Sequence, residues 1–409
     1  MLTIVLSRVY RLVGLLWHEA QLEKMDKVAH AIVFGGTGFI GTHLAQHMLR
    51  ENLAENITLV DLLPPREDAY AATLEQGLRS GRVEFVAWDV RKPIPVSLLP
   101  ARADIVFNLA AVHREPGHEA REYFETNLAG AENVCAYASA AHCSRMVFTS
   151  SISPYGSSEE RKDETSLPTP DTPYGISKLV AEKIHAAWQA ARPERRLLIL
   201  RPGVVFGPGE SGNVTRLIRS IVKGYFFYTG NRATRKAGGY VKELCLVTQF
   251  GLEHQDRSGE SNTILNFSMD PPATMETFVN TIGEAVGRRG SPLAIPRFTL
   301  VGTAYLIDAA ARTVGIRQPI SPVRVRKTFR STFVAPRRLR ELGYAWKYSL
   351  EEAFRDWKRE CPDDFSSLGV QGKRALESKE TRRMNANLSA QRGNFTSTSA
   401  SKTSAMPGR

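Results

Sequence analysis

Residues 35–41 read GGTGFIG, directly after an apolar run at residues 29–34 and at the start of a helical pattern at residues 39–49. The glycines at positions 35, 38 and 41 therefore lie in a turn that leads from a strand into a helix. Such a turn brings backbone amides close to a pyrophosphate group at the helix N-terminus. The spacing GxxGxxG differs from the GxGxxG fingerprint, and a purely structural glycine turn is the alternative. The strands and polar residues C-terminal to this turn decide between the two.

Short apolar runs alternate with helical patterns over the next 160 residues. The runs lie at residues 57–60, 83–87, 105–109, 146–149 and 197–200, with helical stretches at 123–141 and 174–191 among them. The runs are mainly apolar rather than alternating, which is typical of strands buried on both faces of a parallel sheet. The pattern predicts an α/β fold with a doubly wound parallel sheet.

Polar and small residues end the second, third and fourth predicted strands. Asp61 stands twenty residues after Gly41. A carboxylate there accepts hydrogen bonds from the adenosine ribose and repels a 2′-phosphate, which predicts NAD rather than NADP. Asp89 and Val90 are predicted near the adenine, although both aspartates also suit a turn. Leu109, Ala110 and Ala111 end the strand at the expected switch point of the sheet.

A catalytic pattern is found in PYGISK, residues 173–178. Tyr174 and Lys178 are four residues apart and share one helix face. A nearby ammonium and an oxidised nicotinamide favour the tyrosine phenolate, so that Tyr174 can relay a proton, and Lys178 can also hold the nicotinamide ribose. A surface tyrosine and a solvated lysine are the alternative for this pattern when it stands alone. Here it comes after the glycine turn, Asp61 and a strand that ends in Thr149-Ser150-Ser151.

These motifs resemble the extended short-chain dehydrogenases/reductases, in the NAD-dependent epimerase/dehydratase group that acts on nucleotide sugars. The resemblance spans residues 29–357 and is carried by GGTGFIG, NLAA at 108–111, FTSSISPYG at 148–156, PYGISK and RPGVVFGPG at 201–209. It implies a Rossmann-type sheet and hydride transfer at a sugar carbon, usually C4. Tyr174 would be the acid/base, Lys178 its electrostatic partner, and Ser151 the hydroxyl that polarises the substrate, with Thr149 and Ser150 as alternatives. The residues expected to bind NAD are Gly35, Gly38, Phe39, Ile40, Gly41, Asp61, Asp89, Val90, Leu109, Ala110, Ala111, Tyr174 and Lys178.

Departures from the family pattern narrow the reaction. The sugar dehydratases of this family carry an Asp-Glu pair after the catalytic threonine, where this chain has Ile152 and Ser153. The resemblance thus implies an NAD-dependent epimerase or a 4-keto/4-hydroxy reductase. Two alternatives stay open: oxidation of a non-sugar hydroxyl, as in 3-hydroxysteroid dehydrogenases, and a non-catalytic NAD-binding protein. The candidates for substrate contact are His113, Ser151, Lys236 and Arg324.

The net charge of +12 is unevenly distributed along the 409 residues. Residues 373–409 carry +6 and residues 317–340 carry +8, whereas residues 28–316 sum to zero. The basic segment around Arg324, Arg326 and Arg337 suits a diphosphate, because arginine binds phosphate in a bidentate way, although a solvated basic face is the alternative. The segment lacks the interleaved aromatic stripe of a nucleic-acid module, so nucleic-acid binding is not expected.

The chain is divided by these patterns into four parts: an N-terminal extension (1–27), a mainly NAD-binding domain (28–209), a mainly substrate-binding cap from which a strand or helix returns to the sheet (210–365), and a disordered basic tail (366–409). The extension is amphipathic, carries Arg8 and Arg11, and is too short for a stable membrane span; Met25 is an alternative start. The four cysteines form no CxxC pair and no metal-ligand spacing, which predicts a reducing, cytoplasmic setting and no metal site. Relatives imply a homodimer through the two helices at 123–141 and 174–191.

Overall fold

The computed structural model describes residues 26–66, 71–115, 117–158, 160–229, 231–288, 292–295 and 332–366. Nearly all of the predicted N-terminal extension and basic tail lie outside these ranges, as does Arg324. The strands are β1 (Val28–Phe34), β2 (Ala54–Asp61), β3 (Val83–Ala87), β4 (Ile105–Asn108), β5 (Arg145–Thr149), β6 (Arg196–Pro202), β7 (Val204–Phe206), β8 (Tyr228–Thr229), β9 (Gly238–Tyr240), β10 (Asn262–Phe267) and β11 (Ala294–Ile295).

The helices of the described residues cover both faces of a sheet and form a further apolar cluster beside it. They are α1 (Phe39–Arg50), α2 (Ala72–Arg79), α3 (Ala120–Ala140), α4 (Pro173–Ala190), α5 (Asn213–Lys223), α6 (Val241–Ser258), α7 (Met275–Ala285), α8 (Arg337–Glu341) and α9 (Leu350–Glu360). None of the helices in these ranges is both long enough and apolar enough to cross a membrane.

Seven strands form one sheet in the order β10-β6-β5-β4-β1-β2-β3, and every neighbouring pair is parallel. The chain winds outward from β1 to β3 and then crosses back to β4 on the other side of β1. This reversal opens a crevice at the carboxyl ends of β1 and β4, which is where such sheets bind ligands. The predicted doubly wound α/β fold is confirmed.

Two apolar layers hold helices against the sheet. On one face, α1, α2 and α6 pack through residues such as Met48, Leu74 and Leu252. On the other face, α3 and α4 pack through Val134 and Trp188. The central strands are buried on both sides, so their apolar runs meet a helix layer whichever way each side chain points.

A third apolar cluster, rich in aromatic rings, lies outside the two layers that cover the sheet. The rings of Phe206 and Phe354 stack with centroids 5.3 Å apart, and Trp357 on α9 stacks on Phe354 at 6.0 Å. Phe278 of α7 packs edge-on against Phe206. Helix α9 therefore packs against β7, the short strand that follows β6 of the main sheet.

Two elements differ from the sequence prediction. Residues 339–357 read as one helical region in the sequence, whereas the structure has two helices there, α8 and α9. Gly343, with φ at +77°, ends the first of them in a left-handed turn, and Ser349 begins the second with a capping box that includes Glu352. The sequence patterns also did not predict α6. Gly251 weakens helix propensity in the middle of α6, yet it lets this helix lie on β6, because a Cβ there would come within 2.8 Å of the Leu198 side chain.

Candidate active site

The glycine turn lies against the end of β4. Gly35 has φ at +76°, and a Cβ on it would come within 2.7 Å of the Ala110 amide nitrogen. A Cβ on Gly41 would overlap the carbonyl oxygen of Gly35. Glycine at these two positions therefore lets the turn, the first turn of α1 and the backbone of residues 109–110 approach each other closely.

The N-terminus of α1 is open toward the crevice. Gly38 is the N-cap residue and supplies no side-chain hydrogen bond to the amides of the first turn, which begins with Phe39 and Ile40. Unbonded amides at a helix N-terminus attract anions. The donor set and the close backbone approach thus fit the pyrophosphate of NAD.

Asp61 ends β2 beside this turn. One carboxylate oxygen accepts a hydrogen bond from the Thr37 amide at 3.2 Å, and the other accepts one from the Leu62 amide at 2.7 Å. Asp61 therefore has the turn-shaping role considered as the alternative. Its side chain stays partly exposed next to the glycine turn, so its role toward a ribose stays a prediction.

Asp89 and Val90 have structural partners. The Asp89 carboxylate forms an ion pair with Arg91 at 2.6 Å. Val90 is buried against Gly130, and its carbonyl accepts a hydrogen bond from Asn133 at 2.8 Å. An adenine contact by these two residues stays a prediction.

Asn108 and the residues after it line the switch point. The Leu109 amide donates to the Phe34 carbonyl at 2.9 Å, which continues the β1–β4 pairing into the crevice. The Asn108 side chain is buried and lies 3.1 Å from His185, whose ring stacks on Phe148. Ala110 and Ala111 follow with small, half-buried side chains, and the Ala110 backbone lies close to Gly35.

Helix α4 presents Tyr174 and Lys178 at the carboxyl end of β5. Thr172 caps this helix through a hydrogen bond from the Gly175 amide, and Pro173 occupies its first turn. Lys178 is 2% exposed, and its ammonium donates to the Thr149 carbonyl at 2.6 Å. Burial lowers the pKa of Lys178 to about 7, against an opposing effect of Glu182.

Ser151 is the hydroxyl that meets Tyr174. Burial raises the pKa of Tyr174 to about 12, and the hydrogen bond between Ser151 and the Tyr174 phenol acts in the opposite direction. The Ser151 hydroxyl also accepts the Ser153 amide at 3.1 Å. Ser150, an alternative from the sequence, points instead to Glu182, to which its hydroxyl donates at 2.6 Å. The structure thus brings Ser151, Tyr174 and Lys178 together at one strand end.

The other predicted substrate contacts are more dispersed. His113 lies in the loop after β4, where its ring hydrogen-bonds the Ala111 backbone. Lys236 is half-buried on the segment before β9, where its amide donates to the Ala273 carbonyl at 3.0 Å. Arg324 lies outside the described residues, and so does Arg326. Arg337, a described member of that basic segment, pairs with Glu341 at 2.6 Å, so a carboxylate already lies against its guanidinium.

Helix α3 supplies neighbours that the sequence patterns did not identify. The Tyr123 ring lies 5.9 Å from that of Tyr174, and its hydroxyl donates to the Arg114 carbonyl. One turn later, Asn127 brackets the Val112 backbone with hydrogen bonds of 2.9 and 3.1 Å and donates to Ser177 at 2.9 Å. Tyr123 and Asn127 are four residues apart, so the sequence predicts that they share one face of α3. It gives no local signal that this face packs against α4, about fifty residues away.

Curated relatives align over most of the chain. The sequence is 26% identical over 324 residues to N-acetyl-alpha-D-glucosaminyl-diphospho-ditrans,octacis-undecaprenol 4-epimerase of Escherichia coli O157:H7, covering 79% of this chain and 92% of that protein. It is 27% identical over 363 residues to UDP-glucose 4-epimerase 3 of Oryza sativa subsp. japonica, covering 84% and 93%. It is also 27% identical over 386 residues to 3beta-hydroxysteroid-dehydrogenase/decarboxylase isoform 1 of Arabidopsis thaliana, covering 88% and 85%.

Solved structures share the fold. MoeE5 in complex with UDP-glucose and NAD superposes with a TM-score of 0.62 at 23% identity, over 83% of this chain and all of that one. UDP-glucuronic acid 4-epimerase from Bacillus cereus in complex with NAD gives a TM-score of 0.64 at 18% identity, over 82% of this chain and all of that one. At these identities the likeness is one of fold.

The family model describes more than half of the chain. It matches residues 31–266, a range that contains the glycine turn, Asp61, Ser151, Tyr174 and Lys178. The chain belongs to the NAD dependent epimerase/dehydratase family.

Proposed function

We propose that this enzyme is a 4-epimerase of a sugar diphosphate, with a nucleotide sugar as its substrate. The observation that carries the proposal is the meeting of Ser151, Tyr174 and Lys178 beside the crevice that fits NAD. Two of the aligned relatives are named as 4-epimerases, which supports the same reaction. When bound, NAD supplies the chemistry of taking and returning a hydride at the sugar carbon.

In this proposal, Tyr174 takes the proton of the sugar 4-hydroxyl and later returns it to the carbonyl oxygen of the 4-keto sugar, which would by then present its opposite face to the cofactor. The Ser151 hydroxyl donates a hydrogen bond to the same sugar oxygen, and the Lys178 ammonium stabilises the phenolate form of Tyr174. Burial raises the pKa of Tyr174 to about 12. A cation beside the phenol is therefore needed for proton transfer near neutral pH, and the charge of oxidised NAD adds to that of Lys178.

The experiment is a substrate panel with the purified enzyme and NAD. It contains UDP-glucose, UDP-glucuronic acid, UDP-N-acetylglucosamine and an undecaprenyl-diphosphate N-acetylglucosamine, since one relative is named for a lipid-linked sugar. Products are followed by proton NMR of the sugar H4. Interconversion of C4 epimers without net NADH supports an epimerase, whereas net NADH formation or consumption indicates a 4-hydroxy/4-keto oxidoreductase. No change in any sugar contradicts the proposal.

A second candidate is oxidation of a 3β-hydroxysteroid. It is favoured by the alignment with the Arabidopsis 3beta-hydroxysteroid-dehydrogenase/decarboxylase, which covers 88% of this chain. In that case Tyr174 would accept the proton of the steroid hydroxyl, and Ser151 would donate a hydrogen bond to its oxygen. A 3β-hydroxysteroid in the panel separates the two functions, because its oxidation yields stoichiometric NADH and UDP does not inhibit it.

Cofactor choice provides a test of Asp61. We expect Asp61→Asn to reduce discrimination against NADP by about 10-fold or more, because the negative charge that repels a 2′-phosphate is removed. Asparagine keeps an oxygen that can accept a hydrogen bond from the Thr37 or Leu62 amide. Calorimetric Kd values for NAD and NADP give the ratio.

The matched control for this test is Asp104→Asn. Asp104 also accepts a backbone amide, that of His30 at 2.8 Å, but lies at the amino edge of the sheet. We expect Asp104→Asn to leave the ratio of the Kd values for NADP and NAD unchanged. An Asp61→Asn protein with the wild-type ratio would mean that Asp61 only shapes the turn.

We further propose that the enzyme is a homodimer through α3 and α4. Ile176 and Val180 are 40% and 37% exposed one turn apart on α4, which leaves an apolar strip on the helix that carries Tyr174. We expect Val180→Glu to convert the dimer to a monomer in light scattering after gel filtration. Lys183→Glu, an exposed charge change on the same helix, is the comparison, and a monomeric wild-type protein contradicts the proposal.

A cytoplasmic location is also part of the proposal. All four cysteines, Cys135, Cys143, Cys245 and Cys361, are buried and not disulfide-bonded. Burial raises the pKa of Cys135 and of Cys143 to about 12, so they stay protonated and unreactive. Free thiols of this kind support a reducing compartment.

A further inference from the structure

Behind Ser151 lies a buried ion pair that the proposed mechanism does not use. Glu182 is on α4, one turn beyond Lys178, and Arg201 is at the end of β6; they are 3% and 4% exposed. Arg201 donates from Nε to Glu182 Oε1 at 2.8 Å and from Nη2 to Oε2 at 2.6 Å. Desolvation offsets most of the attraction within such a buried pair, so stability is a weak reason for its presence.

The pair holds the chain on both sides of Ser151. Ser150, the residue before it, donates to Glu182 Oε1 at 2.6 Å. Tyr155, four residues after it, accepts a hydrogen bond from Arg201 Nη1 at 2.8 Å and donates to Asn266 at 2.9 Å. The guanidinium also lies 4.9 Å from the centre of the Tyr155 ring. A displacement of Glu182 would therefore shift Ser150 directly and Tyr155 through Arg201, so that both ends of the segment that carries Ser151 would move.

Glu182 also acts on Lys178 through its charge. Burial lowers the pKa of Lys178, and Glu182 opposes that change. The other titratable groups around this ammonium are Tyr174, His185 and His113. Burial lowers the pKa of His185 to about 4 and also lowers the pKa of His113, so both imidazoles are neutral at pH 7. From β5, Lys178 meets the uncharged Thr149 carbonyl and the Phe148 ring, 4.3 Å away.

We propose that Glu182, held by Arg201, is a positioning residue for the catalytic site. Through Ser150 it fixes the strand end that presents the Thr149 carbonyl to Lys178 and the Ser151 hydroxyl to Tyr174. Through its carboxylate it provides the negative charge that helps Lys178 keep its proton. This proposal rests on the proposed function, because it concerns the same catalytic groups. One of its two tests therefore measures the titration of Lys178 and does not depend on turnover.

The first test is an NMR titration of the lysine ammonium groups in the 15N-lysine-labelled full chain, with Lys178→Met to assign the signal. We expect Glu182→Gln to move the titration of Lys178 to lower pH by about one unit or more, because an attractive charge is lost and the Arg201 cation is left uncompensated. A folded Glu182→Gln protein in which Lys178 titrates as in the wild type overturns the charge role, whatever the substrate proves to be.

The second test separates position from charge and still applies if Glu182→Gln does not fold. Ser150→Ala keeps the Glu182–Arg201 pair but releases the strand end. We expect the Lys178 titration to stay in place, and kcat for the substrate found in the panel to fall about 10-fold with KM little changed, since small misplacements of reacting groups are costly.

The matched control is Thr263→Val, which also deletes a buried hydroxyl bonded to a helix side chain, here Gln255 at 3.2 Å. Thr263 lies at the amino end of β10, away from the site. We expect wild-type kcat from this variant. A Ser150→Ala enzyme with wild-type kcat, or a loss equal to that of Thr263→Val, overturns the positioning role.

Discussion

Tyr174→Phe is expected to lower turnover by about 10²- to 10⁴-fold, the contribution typical of a positioned proton donor and acceptor. The phenol carries the proton, and the Ser151 hydroxyl that meets it would be left without this partner. The ring itself stays, with its packing against Tyr123 at 5.9 Å, so the fold and the NAD affinity should be retained. Turnover by NMR and NAD affinity by calorimetry measure the two effects separately.

The comparison for this prediction is Tyr137→Phe. Tyr137 is also buried and donates to a backbone carbonyl, that of Pro100 at 2.8 Å, but it lies in the apolar layer against the sheet, about four turns along α3 from Tyr123. We expect full turnover from Tyr137→Phe. If Tyr174→Phe were as active, or if both variants lost activity equally, Tyr174 would not be the acid/base.

Gly41→Ala is expected to weaken NAD binding by about 100-fold and to lower the free energy of unfolding by about 1–3 kcal/mol, the usual cost of overpacking a tight site. The added Cβ would overlap the Gly35 carbonyl and lie 2.7 Å from the Gly36 backbone carbonyl carbon. These are backbone atoms, so the turn and α1 must separate, and the amides of the pyrophosphate site move with them. Calorimetry with NAD and thermal unfolding give both quantities.

Gly283→Ala is the control for this change. Gly283 lies inside α7, and a Cβ there would meet its nearest neighbour at 3.6 Å, an ordinary contact. Alanine is the better helix former, so we expect equal or higher stability and unchanged NAD binding. Wild-type NAD affinity in Gly41→Ala would show that the close approach of α1 to the turn is not required for the cofactor.

Much of the sheet was predictable from local patterns. Six of the seven sheet strands read as apolar runs in the sequence; the seventh, β10, has two asparagines and one threonine among its six residues and was not placed in the sheet. The role of the glycines at 35 and 41 was also predictable from the sequence, because only a residue without a side chain fits where two backbone segments touch. The boundaries near residue 343 and the helix α6 were missed, since Gly343 and Gly251 act through contacts and conformations that propensity does not report.

The candidate site was predicted in part. Tyr174 and Lys178 are four residues apart on one helix, so their common face follows from helix geometry. Which hydroxyl of Thr149-Ser150-Ser151 meets Tyr174 depends on how β5 ends against α4; the family resemblance implied Ser151, but the local pattern alone does not distinguish the three. The Arg337–Glu341 ion pair is different, because it joins residues four positions apart in α8 and is therefore a local contact, one that the sequence analysis did not consider.

The amino-acid sequence by itself determined the alternation of strands and helices, the glycine turn and the Tyr-Lys pair, because each depends on residues within one or two turns of each other. The tertiary structure turned Ser150 to Glu182 and left Ser151, the residue that the family resemblance implied, beside Tyr174; it also brought Tyr123 and Asn127 to the site and paired Glu182 with Arg201. These contacts join residues from 19 to 51 positions apart across separate strands and helices. Such pairings are set by the packing of the helices on the sheet, and no local periodicity encodes them.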